Sequence, residues 1–352
     1  MMNAKNGETF NPSGRIDYID LAKGIAILLV ILGHCSYTGF KNDIIKEMIF
    51  SFHMPLFFIV SAITYRSSED TNEFREKTKK AAKHLLVPIL LTVLILILWD
   101  LVKDITLLTN YDYWQGQIFS LIYGSGVNAN FYGMDIAGLG KSWFLFALFG
   151  CRVIFDYINL CLNDKRKLML FSMLFGLIGV LFGQIQWMPF SLDISLAVIP
   201  LFWFGYCLKK QVIEKNRIRN MLFWFVIWLI TLKITFPNHN NWTFLELAAR
   251  RYPLFPICYV TGIAGTMMVL EFCTLIYKLK IFGPLIYVGK NSMYLYIIHI
   301  LDGIFVSWWK IESTMLGTAL KRIIINLGIF LIFMMIKKIV EKNIMIRWSH
   351  NQ

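Results

Sequence analysis

The chain has 352 residues, of which 57% are hydrophobic and 16% are charged, and its formal net charge is +13. A soluble domain carries about a quarter charged residues, so this composition indicates a membrane protein. Long apolar runs without strand-like alternation favour a helical bundle over a β-barrel. The basic residues lie in short clusters between these runs, which argues against a nucleic-acid partner. Six cysteines without a C-x-x-C pair predict neither a disulfide framework nor a metal site.

Ten apolar segments approach the length of about 20 residues that a membrane span requires. We therefore predict an all-α, polytopic transmembrane bundle of about ten spans, with a segment at 1–20, a transmembrane domain at 21–340 and a tail at 341–352. No secretory signal peptide is expected, because no apolar core precedes a cleavage site before Asp20. The predicted spans are 21–40, 45–65, 84–103, 142–162, 167–186, 191–208, 220–236, 254–277, 284–307 and 319–340.

The connections between the predicted spans alternate in positive charge, and Lys and Arg stay on the cytoplasmic side of a membrane. Basic clusters lie in even-numbered connections such as 66–83 and 209–219, whereas the connection 184–192 has no Lys or Arg. Ten spans with both termini in the cytoplasm satisfy this pattern. Arg250 and Arg251, on the predicted outer side, are the main exception.

The segment 104–141 is the longest connection and falls on the predicted outer side. It contains a short apolar piece, Ile118 to Tyr123, flanked by aromatic and polar residues. Six residues are too few to cross a bilayer, so this piece predicts a re-entrant or interfacial element.

The first predicted span carries a polar stripe. Lys23 and His34 are eleven residues apart, which returns both to nearly the same face of a helix, roughly 16 Å apart along its axis. Asp20 lies three residues before Lys23 and shares that face. Ionisable groups on a membrane helix are costly, so such a stripe is more typical of a polar cavity than of a lipid-facing surface. Asp20 and Lys23 alternatively anchor the helix at the interface, whereas we interpret His34 as functional.

Two further histidines are predicted at the depth of His34. The second span runs inward and the ninth runs outward, so His53 and His299 both fall in outer halves. Asp302 shares a helix face with His299 at i+3 and is placed to orient it. Each histidine is alternatively a polar contact between helices, but their common depth favours a shared outer cavity.

Basic residues also gather at the predicted inner side, where Arg66 ends the second span and Lys80 and Lys83 precede the third. An anionic cofactor such as a nucleotide phosphate requires a basic mouth of this kind. The positive-inside rule supplies the same charges, so the residues alone leave both interpretations open.

Five segments carry a family resemblance: RIDYIDLAKGIAILLVILGH, FSFHMPLFFIVSA, KKAAKHLLVP, KSWFLFALF and IYVGKNSMYLYIIH. Together they resemble the acyltransferase-3 family of integral membrane acyltransferases, particularly its branch of sugar O-acetylases. The most specific element is a basic residue followed by ten positions and a histidine, which Lys23 and His34 fill. The resemblance implies that His34 is the catalytic histidine and that Lys23 is its basic partner on the acyl-donor path.

The resemblance also implies a donor, acetyl-CoA, and no metal. Arg66, Lys80 and Lys83 match the family positions that hold coenzyme A phosphates. The family segment before this arginine reads Ser-Gly-Phe/Tyr, and here it reads Ser61-Ala62-Ile63. Lys80 and Lys83 replace a pair that is often arginine, which keeps the charge and loses bidentate geometry.

The implied function is a membrane O-acyltransferase of the bacterial cytoplasmic membrane. It would move an acetyl or other acyl group from cytoplasmic acyl-CoA to a hydroxyl of an extracytoplasmic or lipid-linked glycan. His34 would act as general base on that hydroxyl, or would itself carry the acyl group transiently. The expected acceptor contacts are His53, Trp143, Arg250, Arg251, His299 and Asp302.

The other expected partner is membrane lipid, and association into a homo-oligomer is left open. A transporter of a glycan or small polar solute with a histidine proton relay is the alternative function. It is disfavoured because the sequence shows no pair of related halves with broken helices.

Overall fold

The computed structural model describes residues 16–35, 44–162, 164–209, 216–235, 244–306, 308 and 315–349. Most of the predicted segment 1–20, the end of the predicted span 21–40 and the last three residues of the predicted tail lie outside these ranges. The helices are α1 (Asp17–Gly33), α2 (Ile44–Phe50), α3 (His53–Ile63), α4 (Thr71–Lys103), α5 (Tyr111–Tyr123), α6 (Trp143–Cys161), α7 (Lys165–Ile185), α8 (Leu192–Ala197), α9 (Ile199–Leu208), α10 (Arg217–Thr235), α11 (Ile257–Ile276), α12 (Gly283–Lys290), α13 (Ser292–Phe305) and α14 (Met315–Ser349). Strands β1 (Ala129–Phe131) and β2 (Met134–Ile136) form an antiparallel hairpin.

Seven helical segments in the described ranges are long and apolar enough to cross a membrane. The number reaches eight if Pro189–Ala197 and Ile199–Leu208, which meet at a bend of 52°, form one broken span. Seven predicted spans coincide with these segments: 45–65 with Ile45–Ile63, 84–103 with Thr71–Lys103, 142–162 with Gly140–Cys161, 167–186 with Lys165–Ile185, 220–236 with Arg217–Thr235, 254–277 with Ile257–Ile276 and 319–340 with Gly317–Asn343.

The chain is therefore a mostly helical, multi-pass membrane protein. The predicted first span overlaps α1, which has 17 residues, and the predicted ninth span overlaps the shorter helices α12 and α13. These helices fall below the length of a full span, so the number of about ten spans stays a prediction, as does the cytoplasmic position of both termini.

The segment Ile45–Ile63 contains a break at Ser51 and Phe52, between α2 and α3. Pro55 lies in the first turn of α3, where its backbone nitrogen has no helical hydrogen bond to lose. Ser51 accepts a hydrogen bond of 2.9 Å from Nε1 of Trp228 on α10. The break places His53 at the start of a helix rather than within one.

Close packing of α1 against α12 fixes the position of the polar stripe. The two helices meet at Gly24 and Gly289, and an added Cβ at either glycine would collide with the backbone of the other helix. Small residues permit such close approaches between membrane helices. The buried residues Ile27 and Ile31 continue the packed face of α1 into the main hydrophobic core.

The helices define two ends of the bundle. The ring of Phe50 lies 5.5 Å from that of His34 and 4.5 Å from that of His53, so α3 begins beside the end of α1. From there α3 runs back by roughly 16 Å. The long helix α4 begins after α3 and ends near α13, where the rings of Trp99 and Phe305 are 4.9 Å apart. We call the end with His34 the histidine end and the end where α4 begins the basic end.

Candidate active site

His34 immediately follows α1, and its backbone N–H bonds to the carbonyl of Val30 at 3.1 Å. Its own carbonyl accepts a hydrogen bond of 2.8 Å from Nη1 of Arg322 on α14. The partly buried imidazole lies 5.5 Å, centroid to centroid, from the ring of His299 on α13. Hydropathy predicted a first span to residue 40, whereas α1 ends at Gly33. His34 therefore lies at a helix terminus that contacts α13 and α14.

Asp302 is the centre of a buried network beside His34. Its carboxylate accepts hydrogen bonds from Nε and Nη2 of Arg322 at 2.8 and 2.5 Å, and a further one from Nδ2 of Asn326. Nδ1 of His299 lies 3.6 Å from Oδ2 of Asp302. Lys141 donates to the carbonyl of His299 at 2.9 Å and lies 3.9 Å from Oδ1 of Asp302. We call His34, His299, Asp302, Lys141 and Arg322 the histidine cluster.

Sequence reasoning missed Lys141, Arg322 and Asn326 as members of the site. Arg322 and Asn326 were detectable, because they are two polar residues at i and i+4 within an apolar predicted span. Lys141 opens the segment KSWFLFALF, but nothing in that segment indicates that its side chain reaches His299 on α13. Lys141 and Arg322 together exceed Asp302 by one positive charge, which suits a site where negative charge develops.

His53 and Lys23 lie at different distances from this cluster. His53 is at the histidine end, separated from His34 by the ring of Phe50, and its Nδ1 is 3.1 Å from the carbonyl of Ile49. The structure thus brings all three predicted histidines to one end. Lys23 lies roughly 16 Å back along α1, where its Nζ is 3.5 Å from Oδ1 of Asp20.

A cavity of about 680 Å³ lies at the basic end, and Arg66, Lys80 and Lys83 line it together. The predicted donor residues are therefore neighbours in space. Asp156 on α6 shapes this cavity by accepting hydrogen bonds from the hydroxyl of Tyr65 and from N and Oγ of Ser68, the latter two at 3.0 and 2.7 Å. These bonds fix the turn that carries Arg66.

The basic pair lies on a helix that begins earlier than predicted. The third span was predicted from residue 84, whereas α4 begins at Thr71 because the carboxylate of Asp70 caps the backbone N–H groups of Asn72 and Glu73 at 2.7 and 2.8 Å. Helical geometry then presents Lys80 and Lys83 on neighbouring positions one turn apart.

Arg250 has a buried ion-pair partner that the sequence did not reveal. Its Nε and Nη2 lie 2.8 and 3.2 Å from the carboxylate of Asp193, and its Nη1 donates to Ser125 at 2.9 Å. The guanidinium lies 4.1 Å from the ring centroid of Trp187, and the residue is 1% exposed. An acceptor contact would have to break this ion pair, so we interpret Arg250 as a residue that holds the segments around Ser125, Trp187 and Asp193 together.

Arg251 and Trp143 lie in different surroundings. Nη1 of Arg251 is 3.4 Å from Oε2 of Glu246, and burial raises the pKa of that carboxyl while Arg251 counteracts the rise. Trp143 is buried at the start of α6, two residues after Lys141 of the histidine cluster. The contact of either residue with an acceptor stays a prediction.

The protein is thus a multi-pass membrane bundle with two polar sites. Buried ionisable groups lie at one end of the bundle, and a basic cavity lies at the other. The profile of the acyltransferase-3 family, described as an acyltransferase domain, matches residues 16–337. The chain therefore belongs to the acyltransferase-3 family, as the sequence resemblance predicted. No curated protein and no solved structure matches the chain.

Proposed function

We propose that this protein moves an acyl group, acetyl in the simplest case, from a coenzyme A thioester to a hydroxyl of a glycan. The observation that carries the proposal is the separation of the two polar sites. A cavity suited to the phosphates of the donor lies at one end, and His34 with the rest of its cluster lies at the other. The family membership supports acyl transfer as the reaction.

In the proposed reaction His34 acts as a general base, because the pKa of a sugar hydroxyl is far too high for spontaneous attack. The imidazole takes the hydroxyl proton while the oxygen attacks the thioester carbonyl. The carbon–sulfur bond then breaks, and the thiolate leaves with the proton from His34. Lys141 provides a positive charge for the oxyanion that forms between these steps. An acyl-His34 intermediate remains an alternative route to the same products.

The surroundings of His34 suggest supporting roles for its neighbours. His299 is fully buried, and the carboxylate of Asp302 already accepts hydrogen bonds from Arg322 and Asn326, which suits residues that hold His34 better than residues that contact a glycan. Arg322 donates to the carbonyl of His34 and so fixes the end of α1. Trp143 and Arg251 remain the proposed acceptor contacts through stacking and hydrogen bonding.

In the proposed arrangement Arg66, Lys80 and Lys83 hold the donor phosphates at the cytoplasmic face of a bacterial inner membrane. Lys23 lies on α1 between the two ends, where it would accompany the acyl arm. The acceptor would approach the histidine end, as an extracytoplasmic or lipid-linked glycan.

The test is turnover of acetyl-CoA by the purified full-length protein in proteoliposomes, followed as release of free thiol. With a membrane glycan extract present, we expect thiol release together with transfer of labelled acetyl to the glycan. Empty liposomes give the background. A protein that moves solute across the vesicle membrane and leaves acetyl-, propionyl- and succinyl-CoA intact would contradict the proposal and favour the transporter.

A further inference from the structure

Arg152 is a charged residue within a candidate span, Gly140–Cys161, whose other charged residues are Lys141 and Asp156. It is partly buried and lines the cavity at the basic end. No hydrogen bond or direct ion pair joins its guanidinium to the residues that the structure describes, although Asp156 interacts with it electrostatically. Charged side chains within membrane spans are costly and normally paired, and arginine cannot escape the cost by losing its proton.

The nearest carboxylate on the same helix, Asp156, interacts with Arg152 electrostatically but forms no hydrogen bond or direct ion pair with it. Asp156 lies one turn further on, but its oxygens accept hydrogen bonds from Tyr65 and Ser68. Lys77 shows the contrasting case in the same cavity, because its Nζ is 2.7 Å from Oε1 of Glu73 and serves a structural ion pair. The N–H donors of Arg152 are therefore available to an anionic ligand in the cavity.

The net charge of the cavity indicates which class of ligand would bind there. The described residues that line the cavity include five cations and a single carboxylate, and one of the cations, Lys77, is already paired with Glu73 outside the lining. These lining residues are Arg66, Lys77, Lys80, Lys83, Arg152 and Asp156. A ligand with one negative charge would leave most of this positive charge uncompensated. A ligand with several phosphate charges would match it, and the planar fork of an arginine suits two oxygens of one phosphate.

We propose that Arg152 binds the diphosphate of a coenzyme A donor, an assignment that rests on the proposed function. The order of groups along the donor gives the reason. The acyl end must reach His34 at the opposite end of the bundle, so the diphosphate, which joins the acyl-bearing arm, lies deeper than the 3′-phosphate. Arg152 is partly buried on the wall formed by α6, whereas Lys80 and Lys83 are exposed at the mouth on α4.

The test measures binding of coenzyme A and of dephospho-coenzyme A, which lacks the 3′-phosphate, to the purified full-length protein. Arg152→Gln should weaken both ligands by the same factor, about 10- to 100-fold, because each loses a charge-assisted hydrogen bond to the diphosphate. Arg152→Lys should recover part of the affinity, since it restores the charge without the fork. The matched control is Lys79→Gln: Lys79 is exposed and pairs with Glu76 at 2.9 Å, so binding should stay unchanged.

Different results would overturn the assignment in different ways. Loss of affinity for coenzyme A alone would move Arg152 to the 3′-phosphate. Unchanged binding of both ligands by a variant that melts like the wild type would remove Arg152 from the donor site. If Arg152→Gln instead reduced binding of phosphatidylglycerol and spared both ligands, the residue would hold a lipid head group.

A further arm separates this inference from the proposed function. Inorganic pyrophosphate is the probe, because it contains the diphosphate without the rest of the donor. One outcome is that the wild type binds pyrophosphate, Arg152→Gln does not, and neither binds coenzyme A. This outcome would support the anion site and contradict acyl-CoA as the donor. Arg152-independent binding of pyrophosphate beside tight binding of coenzyme A would contradict the inference and leave the proposed function standing.

Discussion

Arg322 is the residue whose removal tests the histidine cluster most sharply. It is 2% exposed, and its hydrogen bonds include two to the carboxylate of Asp302 and one to the carbonyl of His34, at 2.5 to 2.8 Å. Arg322→Met leaves Asp302 buried without its main counter-charge. Removing one partner of a buried ion pair costs about 3–5 kcal/mol, so we expect a loss of that size in the free energy of unfolding.

A second substitution separates stability from positioning. In Arg322→Met with Asp302→Asn no unpaired carboxylate is buried, and the asparagine still offers an acceptor to Asn326. We expect the double variant to recover at least half of the lost stability. Its rate of acyl transfer should stay low, because the carbonyl of His34 has still lost its donor and a displacement of about 1 Å can cost about 10²-fold in rate.

The assay combines unfolding of the purified protein in detergent with release of thiol from acetyl-CoA. The reasoning would be refuted by an Arg322→Met variant that unfolds like the wild type and keeps its rate. A double variant that recovers both stability and rate would also contradict the positioning role, since it would reduce Arg322 to a counter-charge for Asp302.

Three other predictions follow from separate parts of the structure. Lys83→Gln should raise the apparent Michaelis constant for the acyl donor more than it lowers the maximal rate. The effect should shrink with added salt, which screens charges over about 8 to 10 Å. An unchanged Michaelis constant would mean that Lys83 serves only to orient the protein in the membrane. Arg250→Met should lower the free energy of unfolding by about 3–5 kcal/mol, because it leaves the carboxylate of Asp193 buried without a counter-charge, and it should leave donor saturation unchanged. A variant as stable as the wild type would contradict a stabilising role of this ion pair. In intact cells that express the protein in a cysteine-free background, Glu69→Cys should be shielded from an impermeant thiol reagent and Asn128→Cys should react with it. The reverse pattern would place the basic cavity outside the cell, where a cytoplasmic donor could not reach it.

Local patterns in the sequence predicted the helical class, most of the long spans and the polar face of α1. They also predicted the i, i+3 relation of His299 and Asp302, which the structure shows as a separation of 3.6 Å. These features depend on residues a few positions apart, so the period of the helix reveals them.

Features that depend on distant residues could not be predicted in this way. Arg322 reaches His34 across 288 residues of sequence, and Arg250 reaches Asp193 across 57. Arg250 is predicted as an acceptor contact from its place on the predicted outer side, and its pairing with Asp193 cannot be detected from the sequence. The end of α1 at Gly33 was also missed, since hydropathy does not detect where a helix gives way to a buried polar network.

The central claim is that His34 carries out the chemistry, and its most direct test compares His34→Ala with His53→Ala in acetyl-CoA turnover. Both histidines lie at the same end of the bundle, on either side of Phe50, so His53→Ala controls for the loss of an imidazole there. We predict that His34→Ala lowers turnover by about 10²- to 10⁴-fold with normal expression and unchanged donor binding, and that His53→Ala loses only part of its activity. A His34→Ala variant that turned over acetyl-CoA at the wild-type rate would contradict the account.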